Sequence, residues 1–223
     1  MSETPRAAIR SLETGVAALL LAFTVLGLSL LPVASKPVVA GLVRAVDSHV
    51  SADLTGRETL DAAEGVRRFV VDPDAPGLPA TIAGRPAFDA SSVSHLEDVR
   101  DVLVPALRLS AGLGVALAVW ALVRRRSAAG RRLVASACRA AGLVLLASAF
   151  AGIAAAALDF DGFFGWFHTL FFAEGTWVFP AEALLVRLFP IPFWVAAGSA
   201  WGAIVLACAI VLIRAERRSC FTE

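Results

Sequence analysis

The sequence predicts an all-α membrane protein with four transmembrane helices, and three observations lead to this fold class. First, 58% of the 223 residues are hydrophobic and only 17% are charged, whereas soluble domains are about half apolar and a quarter charged. Second, four apolar stretches are each long enough to cross about 30 Å of hydrocarbon. Third, arginines cluster beside the ends of these stretches in a pattern that assigns them to one side of a membrane.

All four predicted spans lack acidic residues. They cover about residues 15–35, 106–123, 133–158 and 188–213. Spans of this length and composition are typical of helices that cross the bilayer completely. We therefore predict that residues 1–223 form a single membrane domain.

The placement of arginine orients the predicted spans. Arg6 and Arg10 precede the first span, five arginines lie in or beside the loop 124–132, and three more follow the last span. With four spans, all three clusters fall on the same side, and an excess of arginine marks the cytoplasmic side. Both termini and the loop 124–132 are therefore predicted to be cytoplasmic, and residues 36–105 and 159–187 extracytoplasmic.

The first span has an alternative interpretation as a secretory signal peptide. Arg6 and Arg10 are typical of the basic start of such a peptide, and Val33-Ala34-Ser35 is typical of a cleavage site. The apolar run is longer than the roughly 7–15 residues of a signal-peptide core, which favours an uncleaved span.

The extracytoplasmic insert 36–105 is predicted to contain short helices and a small hairpin. Apolar residues recur at helical spacing across residues 57–71. Thr55, followed three residues later by Glu58, has the pattern of a capping box at the start of that helix. Residues 81–88 are compatible with a hairpin around their central glycine.

Two of the three histidines lie in the predicted outer segments, next to spans. His95 lies on a helix predicted over 93–103, and His168 is surrounded by aromatic residues in the loop 159–187. Desolvation favours a neutral imidazole, which is a competent general base at neutral pH. We interpret His95 and His168 as candidate acid–base catalysts, although each pattern is also compatible with a structural interfacial residue. His49 lies in a plain amphipathic segment and is interpreted as structural.

Other kinds of site have weaker support in the sequence. A metal-dependent hydrolase is a further hypothesis, because His95, Glu97, Asp98 and His168 include the residue types of a metal site, although without the spacing of a metal motif. No phosphate-binding loop or serine-hydrolase motif occurs. The net charge of +1 gives no indication of nucleic acid. We expect no cofactor, no metal ion and no nucleic-acid partner.

Six short segments carry a resemblance to a known family. They are LTGRETL at 54–60, HLEDVR at 95–100, FHTLFF at 167–172, GTWVF at 175–179, LFP at 188–190 and FW at 193–194. With these segments the chain resembles, over nearly its whole length, a family of small bacterial four-helix membrane proteins. Some members of that family are lipoprotein intramolecular transacylases. The family's essential histidines resemble His95 and His168 of this chain.

The resemblance implies an acyltransferase that moves the sn-2 acyl chain of a diacylglyceryl-cysteine lipoprotein to the α-amino group of that cysteine, giving the N-acyl lyso form. It implies that His95 and His168 are base and acid, in an order that the sequence leaves open. Arg100 or the indole N–H of Trp177 is expected to stabilise the oxyanion, and Asp98 to orient His95. The expected partners are the lipoprotein substrate and membrane lipid. The alternative is a non-catalytic membrane protein whose outer domain binds a lipid, a lipoprotein or a cell-envelope partner.

Overall fold

The computed structural model describes residues 4–219, and this part of the chain is almost entirely helical. Its helices are α1 (Thr4–Leu28), α2 (Leu30–Val33), α3 (Lys36–Ala45), α4 (Ser48–Ala52), α5 (Gly56–Val71), α6 (Ala90–Arg124), α7 (Ala128–Leu158), α8 (Phe160–Thr169), α9 (Leu184–Leu188) and α10 (Ile191–Ser219). Its strands are β1 (Thr81–Ile82) and β2 (Arg85–Pro86). The predicted all-α class with a small hairpin is confirmed.

Four helical stretches are long and apolar enough to cross a membrane, which confirms the predicted number of spans. They are Ala7–Val33, Ala90–Arg124, Ala128–Leu158 and Ile191–Arg214. Many of their leucine, valine and phenylalanine side chains are exposed, as expected for surfaces that lipid acyl chains cover.

Helix α6 joins the segment that carries His95 to the second span without a break. Its 35 residues correspond to roughly 50 Å at 1.5 Å per residue, more than a bilayer core requires. Pro105, which precedes the predicted start of the span at residue 106, lies inside this helix. His95 and the predicted second span therefore belong to one continuous helix.

The described chain divides into two compact units. The first contains Leu107–Ala155 together with the chain before Leu30 and after Trp201, and the second contains Leu30–Ala106 and Ala156–Trp201. The boundaries that the sequence analysis gave for the membrane domain, the insert and the loops stay predictions.

Small side chains allow close helix packing in the first unit. A Cβ atom on Gly142 of α7 would lie 2.7 Å from Cγ1 of Ile213 and 2.8 Å from the carbonyl oxygen of Ala209, both on α10. Ala141 and Leu145 of α7 are completely buried. Close approach through small residues is the usual basis of helix association within a membrane, where lipid tails are as apolar as the helices.

An apolar cluster forms the core of the second unit. It draws side chains from α3, α5, the start of α6, α9 and the start of α10, and Leu188 at its centre is completely buried. The members are Val39, Val43, Ala62, Ala63, Val66, Phe69, Leu96, Leu185, Leu188, Phe189 and Phe193. Burial of these side chains provides most of the stabilisation that holds the short helices together.

Local signals in the sequence fix the start of α5 and the hairpin. The hydroxyl of Thr55 accepts from the backbone N–H of Glu58, whose carboxylate accepts from the backbone N–H of Thr55 at 2.9 Å, so the predicted capping box is present. In the hairpin, β1 pairs with β2 in antiparallel register. Ala83 and Gly84 form its two-residue loop with φ values of 51° and 72°, the left-handed geometry that suits the twist of a tight hairpin.

Candidate active site

The start of α6 determines where His95 lies. The carboxylate of Asp89 accepts from the backbone N–H of Ser92 at 2.7 Å, which caps the helix. Leu96, the residue after His95, is part of the apolar core of the second unit. His95 is therefore held in the second turn of a packed helix, and only 7% of its surface is exposed.

His168 lies in the last turn of α8. The carboxylate of Asp159 caps this helix by accepting from the backbone N–H of Gly162 at 3.0 Å, and it lies so close that residue 162 has no room for a side chain. Nδ1 of His168 lies 2.7 Å from the backbone carbonyl oxygen of Phe164. A carbonyl can only accept, so Nδ1 carries the proton and Nε2 presents a lone pair.

The fold brings the two histidines together, although 73 positions separate them in the sequence. Their ring centroids lie 6.1 Å apart with an angle of 31° between the planes. Phe172 lies beside both, with its ring 5.0 Å from that of His95 and 5.8 Å from that of His168. Phe179 approaches His95 at 5.4 Å, and Phe164 approaches His168 at 4.2 Å. The result is a pair of imidazoles within an aromatic cluster.

Burial in this cluster lowers the pKa of His168, because the surrounding rings cannot solvate a positive charge. The hydrogen bond to the carbonyl of Phe164 acts in the opposite direction on this pKa and is the smaller effect. His168 is therefore neutral at neutral pH, with Nε2 able to accept a proton.

Trp177 lies against His168, with ring centroids 4.9 Å apart. A turn after α8 brings it back to this position: Gly175 has a φ of 83°, and the backbone N–H of Thr176 donates to the carbonyl of Ala173 at 3.2 Å. The indole Nε1 of Trp177 is buried and has no hydrogen-bond partner within the described chain. The same is true of Nδ1 of His95.

The other two predicted site residues follow His95 on α6. Asp98 is exposed, and Nδ1 of His95 has no hydrogen-bond partner among the described residues. The guanidinium of Arg100 donates to the carbonyl of Pro73 and lies 5.1 Å above the ring of Phe69. Arg100 thus contacts the end of α5 and the turn that follows it. It points away from His95, because five residues along a helix separate two side chains by more than about 90°.

The ligand set of the metal-dependent hydrolase hypothesis is not assembled among residues 4–219. In that part of the chain, no three His, Cys, Asp or Glu side chains form a group that could hold a metal ion. Glu97 and Asp98 are both exposed.

The sequence analysis placed His168 among aromatic residues, but it did not identify which of them line the site or that they also contact His95. Phe164 is four residues before His168 and Phe172 four residues after it, so helical spacing could have indicated both as neighbours. Phe179 carried no comparable signal, because its contact with His95 depends on the chain reversal around Gly175.

Comparisons with known proteins agree with this architecture. Residues 16–194 match the model of the family described as lipoprotein intramolecular transacylase Lit. Comparison with curated proteins by sequence gives no match.

Three solved structures of one protein resemble this chain. The structure of the membrane-integral lipoprotein intramolecular transacylase Lit from Bacillus cereus is similar with a TM-score of 0.79 and 18% identity, over 96% of this chain and 97% of that one. A variant of the same protein with one histidine replaced by alanine gives a TM-score of 0.75 at 17% identity, over 99% and 97% of the two chains. The variant with arginine at that histidine gives 0.74 at 17%, over 96% and 93%. The structural likeness establishes the fold, and because the family match covers most of the sequence, the chain belongs to the lipoprotein intramolecular transacylase family.

Proposed function

We propose that this protein moves the sn-2 acyl chain of a diacylglyceryl-cysteine lipoprotein to the α-amino group of the same cysteine, giving the N-acyl lyso form. The observation that carries the proposal is the pair of histidine rings 6.1 Å apart within an aromatic cluster. Membership of a transacylase family supplies the class of substrate. Aminolysis of an ester needs a proton acceptor and a proton donor near one carbon atom, and two adjacent imidazoles can serve as both.

The reaction is an internal transfer that consumes no other reactant. The amine nitrogen attacks the ester carbonyl carbon, a C–N bond forms, and the carbonyl electron pair moves to oxygen. The nitrogen then loses one proton, and the bond between the carbonyl carbon and the glycerol oxygen breaks. The glycerol oxygen takes up one proton and becomes the free hydroxyl of the lyso product. Because nucleophile and ester belong to one molecule, correct positioning can supply a large part of the rate.

In this proposal His168 is the base that takes the proton from the amine. Its Nδ1–H is held by the carbonyl of Phe164, so Nε2 is the nitrogen with a free lone pair. His95 then passes the proton on to the glycerol oxygen after the two imidazoles have exchanged it. One additional proton is thus shared by the pair during turnover, because two positive charges at this separation in an aromatic environment repel each other strongly.

The surroundings of the pair suit a lipid substrate. Phe167, Leu170 and Phe171 carry exposed apolar side chains beside His168. Acyl chains bind to such surfaces through the hydrophobic effect, and aromatic residues of this kind are typical of the membrane interface. We propose that the site lies at the extracytoplasmic face with both termini in the cytoplasm, as the arginine distribution predicts. Its partners are the lipoprotein and the surrounding membrane lipid.

Expression in a host that lacks its own lipoprotein N-acylation tests the activity. Mass spectrometry of lipoprotein N-termini is expected to detect the N-acyl lyso form in place of the diacylglyceryl form. Unchanged diacylglyceryl lipoproteins despite good expression would overturn the proposal. They would leave the non-catalytic membrane protein that binds a lipid, a lipoprotein or an envelope partner as the better account.

Substitution of each histidine tests the mechanism. His95→Ala and His168→Ala are each expected to abolish conversion, whereas His49→Ala provides a matched control because His49 is exposed on α4, away from the aromatic cluster. Conversion that persists in the double variant of His95 and His168 would exclude histidine acid–base catalysis.

A further inference from the structure

We infer that Trp177 is a further catalytic residue of this site, whose indole N–H donates a hydrogen bond to the carbonyl oxygen of the transferred acyl group. The inference rests on the proposed function, because it needs an acyl ester between the two histidines. It assigns a stabiliser for the negative charge that develops on that oxygen during the reaction.

The first observation is a buried donor without an acceptor. Nε1 of Trp177 is inaccessible to solvent and has no hydrogen-bond partner within residues 4–219. Buried polar groups in folded proteins are nearly always paired, and one that is not needs an explanation such as an absent ligand. A donor-only indole next to a proposed general base is explained if the substrate provides the acceptor.

The second observation is that the indole is fixed against His168. The rings lie 4.9 Å apart, and a Cβ atom at Gly165 would lie 3.3 Å from Cη2 of Trp177, so the glycine leaves just enough room for the ring beside α8. The turn around Gly175, with the hydrogen bond from the N–H of Thr176 to the carbonyl of Ala173, fixes the backbone just before Trp177. A donor that is held in place before the charge develops stabilises it without reorganisation, which is the property required of an oxyanion hole.

The third observation is that the other predicted site residues with an N–H donor have a different use for it. The guanidinium of Arg100 is used by the carbonyl of Pro73 and the ring of Phe69. Nδ1–H of His168 is used by the carbonyl of Phe164. His95 also has an unpaired nitrogen, Nδ1, but in the proposed mechanism it carries the proton to the leaving oxygen. Among the predicted site residues, Trp177 is therefore the one with a free N–H that acid–base chemistry does not need.

The role of Trp177 in the balanced reaction is specific. As the amine nitrogen bonds to the carbonyl carbon, the carbonyl double bond opens and its electron pair localises on oxygen. The indole N–H donates to that oxygen throughout and gives up no proton. When the bond to the glycerol oxygen breaks, the electron pair returns to reform the carbonyl of the new amide.

Replacement of the indole by a ring without an N–H tests this role. Trp177→Phe keeps an aromatic ring against His168, and its kcat with a diacylglyceryl lipopeptide in detergent micelles is expected to fall about 10²–10³-fold, the usual loss for one oxyanion donor. KM is expected to change little, because the hydrogen bond gains strength only in the transition state. Trp166→Phe is the matched control: Trp166 lies on α8 and is 57% exposed, so its kcat is expected to equal that of the wild type.

A second variant separates loss of the N–H from loss of ring volume. Incorporation of 3-benzothienylalanine at position 177 replaces the N–H by sulfur in a ring of nearly the same shape, and it is expected to lower kcat as much as Trp177→Phe. Wild-type kcat in this variant would overturn the inference while leaving the proposed function intact. Absence of conversion by the wild-type protein would overturn both.

Discussion

Two tryptophans, one in each compact unit, differ in whether their indole N–H has a hydrogen-bond partner. In the first unit, the half-buried Trp120 donates its indole N–H to Glu13 at 3.0 Å, and Glu13 also pairs with Arg124. In the second unit, the half-buried Trp177 has no acceptor for its indole N–H among the described residues. The first indole N–H is paired within the protein, whereas the second is free for the acceptor that we propose the substrate provides.

The same contrast extends to other buried polar atoms. Five buried side-chain nitrogen or oxygen atoms of the described chain have no partner, and four of them belong to the second unit: Ser48, Ser92, His95 and Trp177. Only Ser110 lies in the first. An unpaired buried group costs about 1–3 kcal/mol of stability, and two of these atoms, on His95 and Trp177, belong to the aromatic cluster of the candidate site.

This contrast between the two units predicts that removal of a polar group of the site causes a large loss of activity and little loss of stability. His168→Asn gives the sharpest test, because the asparagine amide N–H can still donate to the carbonyl of Phe164 while the base Nε2 is lost. We expect conversion to fall by about 10²–10⁴-fold, the usual contribution of a general base. The rate is measured with a lipopeptide substrate, and the melting temperature in detergent is expected to stay close to that of the wild type.

His49→Asn is the control for this substitution, since His49 is exposed on α4. If His168→Asn kept full activity, Nε2 would not be the base and the two-histidine mechanism would lose its first step.

The pH dependence of conversion tests the same imidazole without a mutation. Burial lowers the pKa of His168 below the value of about 6.5 for a free histidine, so the base is expected to stay active at that pH. Once the rate is corrected for the fraction of neutral substrate amine, it is expected to fall about tenfold for each pH unit below the lowered pKa, because only the neutral imidazole accepts a proton. The stability of the native protein is expected to decline once the pH drops below the pKa of a free histidine. The unfolded chain then binds a proton at this position more readily than the native chain does.

A rate profile measured from about pH 5 to about pH 8 checks this prediction. The substrate's α-amino group, with a pKa of about 7.7–8.0, must also be neutral to attack, so its ionisation is measured on the lipopeptide and divided out of the profile. An acid limb that then still begins above the pKa of free histidine would contradict the prediction, since the base would be easier to protonate than an exposed imidazole.

In the first unit, we expect a substitution that disturbs helix packing to lower the stability of the protein. Gly142→Ala would place a methyl group 2.7 Å from Cγ1 of Ile213 and 2.8 Å from the backbone oxygen of Ala209. We expect it to destabilise the protein by about 1–3 kcal/mol, as overpacking usually does. Thermal denaturation in detergent measures the effect.

Gly152→Ala on the same helix is the matched control, because a Cβ atom there meets nothing within 4 Å. It is expected to stabilise α7 slightly through the higher helix propensity of alanine. Equal stability of the two variants would mean that α7 and α10 do not approach as closely as Gly142 requires.

The smallest expected effect concerns the hairpin of the second unit. Ala83 adopts a φ of 51°, which is unfavourable for a residue with a Cβ atom, so Ala83→Gly is expected to raise the free energy of unfolding by about 0.5 kcal/mol. Gly84→Ala, at a φ of 72° and with open space around it, is expected to lower it. Chemical denaturation of the two variants checks the sign, and a destabilised Ala83→Gly variant would contradict the assigned turn geometry.

Features that depend on near neighbours in the sequence were predictable. The capping box of Thr55 and Glu58, the helix that follows it and the hairpin around Gly84 all arise from residues within a few positions of one another. The four spans follow from the length and apolarity of the segments. A long apolar segment forms a helix in a bilayer almost independently of its tertiary contacts, because its backbone groups must be paired within the segment. His95 and His168 could be chosen as candidates because the chain contains only three histidines.

Features that depend on rotation around a helix and on distant contacts were not predictable. Arg100 was a candidate oxyanion donor from the sequence, but its position on α6 turns it towards Pro73 and Phe69. Asp98 was expected to orient His95; it is exposed, and this role stays a prediction. Asp98 lies three residues after His95, on the same side of α6, whereas Arg100 lies five residues after it, on a different side.

The sequence by itself determined that this protein has four apolar helices and two histidines in segments next to them, of which His168 lies among aromatic residues. The tertiary structure decided that His95 and His168 meet, that Phe172 contacts both rings, and that Phe179 contacts His95. It also placed Trp177 beside His168, with no acceptor for its N–H among the described residues. The physical reason is the separation along the chain of the residues that interact. Hydropathy and capping depend on residues within one or two helical turns of each other. The site instead depends on contacts among α6, α8 and the turn around Gly175, whose residues are far apart in the chain.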